Sequence, residues 1–184
     1  MTPELQGPRL WLRPLAPVDR AFWCAAYTDP ALMRQVGPPL APAAAERSFR
    51  AALAANAGAE PAMAYWVVHL RMADKDIGLL GLTGRCESGE GEVGALILPP
   101  WQACGHAAEA ITLLAQHAFG ATSLLRLRTR HAGDNPGAAG LMRKLGFTRI
   151  AADDAIPLGH RWELQREDWL ARCKGGARPI AFAP

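Results

Sequence analysis

Leu98-Pro99-Pro100-Trp101-Gln102-Ala103-Cys104-Gly105-His106 is the stretch whose reading decides the fold. Residues 92–98 before it read as a strand that the two prolines close. Residues 106–119 after it read as a long helix, because Ala107, Ile111, Leu114 and Ala118 recur at helical spacing. Gly120 is expected to end that helix. A strand, a tight turn and a helix N-terminus together make a ready anion site. The first helical N–H groups have no internal partner, and the macrodipole adds partial positive charge there. Small residues at Ala103, Gly105 and Ala107 let a pyrophosphate approach the main chain. The turn is not a P-loop, since no Gly-Lys-Ser/Thr follows, nor a dinucleotide fingerprint, since the strands before it read as an antiparallel meander.

Upstream, residues 65–71 are rich in β-branched and aromatic side chains, and 77–83 follow the turn signal Ala73-Asp74-Lys75-Asp76. Glu87-Ser88-Gly89-Glu90-Gly91 marks a hairpin turn before the strand at 92–98. The first third holds one short strand, Leu10-Trp11-Leu12-Arg13-Pro14-Leu15, and small helices over 18–27, from Asp29-Pro30, and over 42–55. Downstream, Leu125-Arg126-Leu127-Arg128-Thr129-Arg130 alternates strictly, as a half-buried strand does. Asp134-Asn135-Pro136 starts a helix that Gly146 caps, and residues 148–150 and 161–165 read as the last strands. The expected architecture is one mixed α/β domain over 1–174, with a frayed Gly/Pro-rich tail over 175–184.

Composition bounds the function. The 184 residues are 50% hydrophobic and 20% charged, which excludes wholesale disorder and suits a single domain. Twenty basic against 17 acidic residues leave a net charge of +3, too little for a general nucleic-acid surface. Cys24, Cys86, Cys104 and Cys173 form no C-x-x-C pair, which argues against zinc and disulfides and for a reducing, cytoplasmic setting. No apolar run is long enough for a membrane span. His106 and Glu109 lack the H-E-x-x-H order of a metal pair.

The chain resembles the GNAT N-acetyltransferases. Gln102-x-x-Gly105-x-Ala107 matches their Gln/Arg-x-x-Gly-x-Gly/Ala motif, and Glu92-Val93-Gly94, Glu109-Ala110, Asn135 and Arg143-Lys144-Leu145-Gly146-Phe147 fall in the family's order. Arg9-Leu10-Trp11-Leu12-Arg13-Pro14-Leu15 and Leu164-Gln165-Arg166-Glu167-Asp168-Trp169 resemble the ends of the branch that acetylates ribosomal-protein N-termini. The resemblance implies a mostly antiparallel mixed sheet, splayed at its centre and flanked by helices. It implies acetyl-CoA as cosubstrate, with Leu96, Ile97 and Leu98 offering main-chain groups to the pantetheine arm. The N–H groups from Gln102 through Ala103, Cys104, Gly105 and His106 to Ala107 would hold the pyrophosphate, and Asn135 would bond the pantetheine. Arg143 or Lys144 would approach the nucleotide end. Many members of the family dimerise.

The implied reaction moves acetyl to a primary amine, foremost a protein N-terminal α-amine; the alternatives are a small amine (polyamine, amino acid or antibiotic) and a non-catalytic acyl-CoA sensor. The amine must be neutral to attack. Glu92 is the candidate base, or else a carboxylate that fixes the hairpin. Ala138 and Met142 stand where related enzymes often carry a serine or tyrosine proton donor. His131, a water, or positioning alone is left to serve the leaving thiolate. Cys104 is either a reactive thiol or a small filler. Arg126, Arg128 and Arg130 stripe one strand face, as a solvated surface or as attraction for CoA phosphates or an acidic partner. Tyr27, Trp23 and Phe22 read as core or lid, and 33–42 with the turn after Ile150 should border the acceptor.

Overall fold

A computed structural model describes residues 2–34, 36–58, 63–132, 134–151 and 159–174. Its frame is one eight-stranded sheet in the order β1-β2-β3-β4-β5-β6-β8-β7. The first five strands, β1 (Leu5–Gln6), β2 (Leu10–Pro14), β3 (Ala64–Leu70), β4 (Lys75–Arg85) and β5 (Glu90–Ile97), form an antiparallel meander. The chain then crosses through α4 (His106–Ala121) to β6 (Arg126–His131), which lies parallel to β5. β7 (Thr148–Ile150) and β8 (His160–Gln165) complete the second half, β8 pairing antiparallel with both β6 and β7.

The helices cover both faces. α1 (Arg20–Thr28), α2 (Pro30–Met33) and α3 (Pro42–Ala57) close one face over Leu15, Trp23, Phe49, Val67, Leu79 and Leu96. α4, α5 (Pro136–Leu145) and α6 (Arg166–Lys174) close the other, around Trp66, Leu80, Leu114, Phe119, Leu127 and Trp162. The start signals act as read: Asp29 Oδ1 accepts from Ala31 N at 2.7 Å and Leu32 N at 3.2 Å, and Asn135 Oδ1 accepts from Ala138 N at 2.9 Å. Gly146 ends α5 at φ +90°, where a β-carbon would be strained.

Four sequence expectations are revised. Gly120 does not end α4, which runs to Ala121. β1 went unread, being two residues long. Residues 166–174, to which the sequence assigned no element, form a helix whose one buried residue is Trp169. The 87–91 hairpin is a 3-10 turn at Cys86–Ser88 followed by Gly89 at φ +66°. The tail at 175–184, and Asp153 and Asp154 in the turn after Ile150, lie outside the described residues. Among the described residues, no helix is long and apolar enough to cross a membrane.

Candidate active site

Pro99–Trp101 makes one 3-10 turn, and Ala103 (φ +59°) and Gly105 (φ +80°) then both adopt left-handed backbone. Turns of this kind converge successive N–H groups. Gln102 Nε2 donates back to Ile97 O at 2.7 Å, tying the turn to the strand it leaves. His106 is buried and places Nδ1 3.0 Å from Trp101 O. Cys104 is exposed, and its thiol donates to Gln102 O at 3.3 Å. Gly105 has no side chain to cap α4, and the first intrahelical bond runs from Glu109 N to Gly105 O at 3.1 Å. The N–H groups of His106, Ala107 and Ala108 therefore open the helix without intrahelical acceptors.

Glu109 lies under this turn at 0% exposure. Its Oε1 accepts from Arg9 N at 2.9 Å and Leu10 N at 3.0 Å, and its Oε2 from Arg9 Nε at 2.8 Å. Arg9 Nη1 in turn donates to Cys104 O at 3.1 Å. The carboxylate thus fastens the start of β2 and, through Arg9, the phosphate-type turn. Sequence reading saw Glu109 only as part of a motif, because its partners lie 100 residues earlier.

The sheet opens at its centre. β5 and β6 pair only at Glu90↔Arg126, Gly91↔Leu127 and Glu92↔Arg128. β5 runs on to Ile97 along β4, with Leu96 opposite Leu79. Leu98 N bonds Ile77 O at 2.8 Å. In an antiparallel ladder the bonded pairs alternate. The even-numbered residues of β5, Leu96 among them, and Leu98 beyond it therefore turn their main-chain groups toward β4. The odd ones, Val93, Ala95 and Ile97, turn theirs toward the gap. The three consecutive residues expected to face the gap are therefore not equivalent: Leu96 and Leu98 turn to β4, Ile97 O already accepts from Gln102, and Val93 and Ala95, which the sequence did not single out, also turn main-chain groups toward the gap side. Register alone reveals them.

The same alternation puts the Glu92 side chain on the face that α1–α3 partly cover. There Glu92 borders two hollows, one of about 520 Å³ toward β6 and β8 and one of about 240 Å³ beneath Trp23, Tyr27 and Tyr65. Glu92 is half-exposed, and its Oε1 lies 3.1 Å from Arg130 Nε. The arginine stripe is a lattice of ion pairs. Arg128 bridges Glu90 at 2.7 Å and Glu163 at 2.8 Å, and Arg126 reaches Glu90 at 3.4 Å. It is therefore neither a bare solvated face nor unpaired charge for CoA phosphates. Burial pushes the Tyr27 phenol up to about 12 and also raises Tyr65, so both stay protonated hydroxyls.

Both ring nitrogens of His131 are engaged within the fold: Trp162 Nε1 donates to its Nε2 at 2.9 Å, and its Nδ1 lies 2.7 Å from Ala132 O. Met142 is buried and Ala138 offers only a main-chain N–H, already taken by Asn135. Asn135 thus has a capping role whatever else it binds. Among the described residues there is no group of three or more His, Cys, Asp or Glu able to hold a metal.

Residues 9–148 match the family profile described as acetyltransferase (GNAT) domain. No protein of curated function matches the chain in sequence. Among solved structures, an acetyltransferase from Agrobacterium tumefaciens is similar at TM-score 0.75 and 23% identity, over 90% of this chain and 95% of that one. Mutant forms of the spermidine/spermine N-acetyltransferase from Vibrio cholerae are similar at TM-score 0.73 and 20% identity, over 91% and 99%. A Vibrio cholerae protein described as a candidate ribosomal-protein-serine acetyltransferase is similar at TM-score 0.70 and 20% identity, over 90% and 99%.

Proposed function

Because the chain belongs to the GNAT acetyltransferase family, and so is an acyltransferase, we propose that it moves acetyl from acetyl-CoA directly to a protein N-terminal α-amine. The observation that carries this reading is the gap beside β5. An edge that β6 leaves open past Glu92↔Arg128, with Ala95 at its middle and the Ile97 N–H at its end, leads to the N–H groups of His106, Ala107 and Ala108, which have no intrahelical acceptor, with Glu92 on the adjoining face. An extended amide chain pairs with such an edge as an added strand does. A diphosphate suits the helix start.

In this mechanism Glu92, directly or through water, takes a proton from the acceptor ammonium. The amine nitrogen then forms its bond to the thioester carbonyl carbon, the carbon–sulfur bond breaks, and the thiolate leaves. A thiol ionises near pH 8.5, so the thiolate is a tolerable leaving group without a dedicated acid. An N-terminal α-amine ionises near pH 8 and an alkyl ammonium above 10. A half-exposed carboxylate is adequate for the first and poor for the second, which supports the α-amine. Orientation across the gap supplies the remaining acceleration.

Calorimetric titration with CoA and a thiol-release assay with acetyl-CoA and N-terminal peptides test the reading. Wild type binds CoA and releases thiol. Glu92→Gln loses about 100-fold in kcat at pH 7, and the deficit shrinks as pH rises through the amine's own ionisation. No uptake of CoA by the folded protein removes the reading; full activity of Glu92→Gln at every pH removes the base.

A further inference from the structure

The smaller hollow beside Glu92 has walls that the fold holds in place. Trp23 Nε1 donates to Ser48 Oγ at 2.9 Å, which pins the indole to α3. Asn56 is buried and brackets Tyr65: Tyr65 N donates to its Oδ1 at 2.7 Å, and its Nδ2 donates to Tyr65 O at 2.8 Å. Trp23 lies 4.7 Å from Tyr27 and, edge to face, 5.7 Å from Tyr65. Leu79 and Leu96 join the lining, as does Val36, which is 57% exposed. The floor is bare at Gly94. Gly94 and Gly81 oppose each other across β5 and β4, on the side of the sheet that carries Glu92 and Leu96. At Gly81 the fold explains the glycine, since a β-carbon there would press on the Tyr65 ring at 3.1 Å. At Gly94 it does not. Among the described residues a β-carbon there would meet no atom within 4 Å, and the backbone is not left-handed. Glycine inside a strand weakens it and often marks the close approach of a ligand.

We propose that this hollow takes the side chain of the acceptor's first residue, and that this side chain is a hydrocarbon larger than a methyl group, such as that of leucine. This rests on the acetyl-transfer reading above and narrows its substrate. Gly94 lies two residues beyond Glu92 on the same face, about 7 Å along the strand. An α-amine held at the Glu92 carboxylate therefore has its own side chain within reach of the Gly94 floor. At about 240 Å³ the hollow is smaller than the roughly 300–1,000 Å³ of sites that enclose a whole ligand, so it fits one part of a substrate. The side chains lining it are aromatic or aliphatic apart from Thr83 and Glu92. A cation would need an open ring face, whereas these rings are packed on one another. A hydrocarbon needs no polar partner, and its burial is favourable in proportion to the area covered.

The test is kcat/KM, read as thiol release from acetyl-CoA, for hexapeptides that differ only in a first residue of leucine, alanine or lysine. The leucine-led peptide exceeds the alanine-led one by at least about tenfold, the lower end of what one methylene is worth in an apolar pocket. Gly94→Val fills the hollow and brings that ratio to within about twofold of one, and Gly94→Ala lowers it part of the way. A merely structural Gly94 would move both substrates together and leave the ratio alone. Both variants melt no lower than wild type, because a side chain at 94 is unobstructed and suits a strand better than glycine does. Equal wild-type rates for leucine and alanine, lysine as the best first residue, or a ratio unmoved in Gly94→Val overturns the proposal. Calorimetry with the N-acetylated leucine- and alanine-led peptides separates the two readings. Tighter binding of the leucine-led product without turnover of any peptide keeps the pocket and removes amine transfer. Turnover without preference keeps the transfer and removes the pocket, and neither binding nor turnover removes both.

Discussion

Replacing Glu109 by glutamine tests whether one buried carboxylate ties the fold to the site. The change preserves size but leaves a single oxygen for three donors, Arg9 N, Leu10 N and Arg9 Nε, all within 3.0 Å. Whichever way the amide lies, its NH2 meets at least one of them. Breaking a fully buried charged pair costs 3–5 kcal/mol, and Arg9 is 23% exposed, so solvent recovers part of that. A loss of about 3 kcal/mol is expected, and at this chain length Tm falls by roughly 6–12 °C. Arg9, no longer held by Oε2, loosens its grip on Cys104 O, so KM for acetyl-CoA rises about tenfold while kcat changes less. Thermal melts and steady-state kinetics below the lowered Tm read both effects, and Arg9→Met combined with Glu109→Gln measures their coupling. A melting point within about 1 °C of wild type refutes the reasoning. A full stability loss with KM unchanged refutes the link to the turn.

Two other outcomes follow from local geometry. Gly105→Ala forces a β-carbon into left-handed backbone at φ +80°, costing about 1–2 kcal/mol; it lowers Tm by roughly 3–6 °C, and an unchanged melt disproves the strain. His117 packs edge-on against Trp66 at 6.0 Å, and burial lowers its pKa below 6.5. The folded state thus prefers the neutral ring, and that part of stability is present above pH 6.5 and lost as pH falls through the lowered value. Tm of wild type between pH 7.5 and 5 drops more than that of His117→Phe, and parallel curves contradict the assignment.

What was legible in the sequence is what neighbouring residues decide. The turn at 98–106 announced itself by two prolines and a glycine, and α5 by Asn135-Pro136 at one end and Gly146 at the other. Each acts on the chain within a few residues. What stayed hidden depends on partners distant in sequence. The stripe Arg126, Arg128 and Arg130 was visible, yet its neutralisation rests on Glu90 and Glu92 of β5 and Glu163 of β8. α6 has no apolar stripe, since Trp169 is its single buried residue. That His131 is locked depends on Trp162, 31 residues away.

Under the proposed transfer, the period of two along β5 would let one strand serve two substrates without their competing for its atoms. Odd residues send Val93 and Ile97 side chains into the core under α4 and their main-chain groups toward the gap. Even residues bond to β4 and send Glu92 and Leu96 to the opposite face. A thioester carrier laid along the edge therefore meets main chain, whereas an amine arriving over the face meets the Glu92 carboxylate. The two can meet only where the edge first becomes open, just past the last β5–β6 pair, Glu92↔Arg128. Insertion or deletion of one residue in β5 would exchange the two sets, turning Glu92 into the core and the bonded groups into the gap. Register rather than residue identity is thus the property on which the proposed division of β5 between edge and face depends.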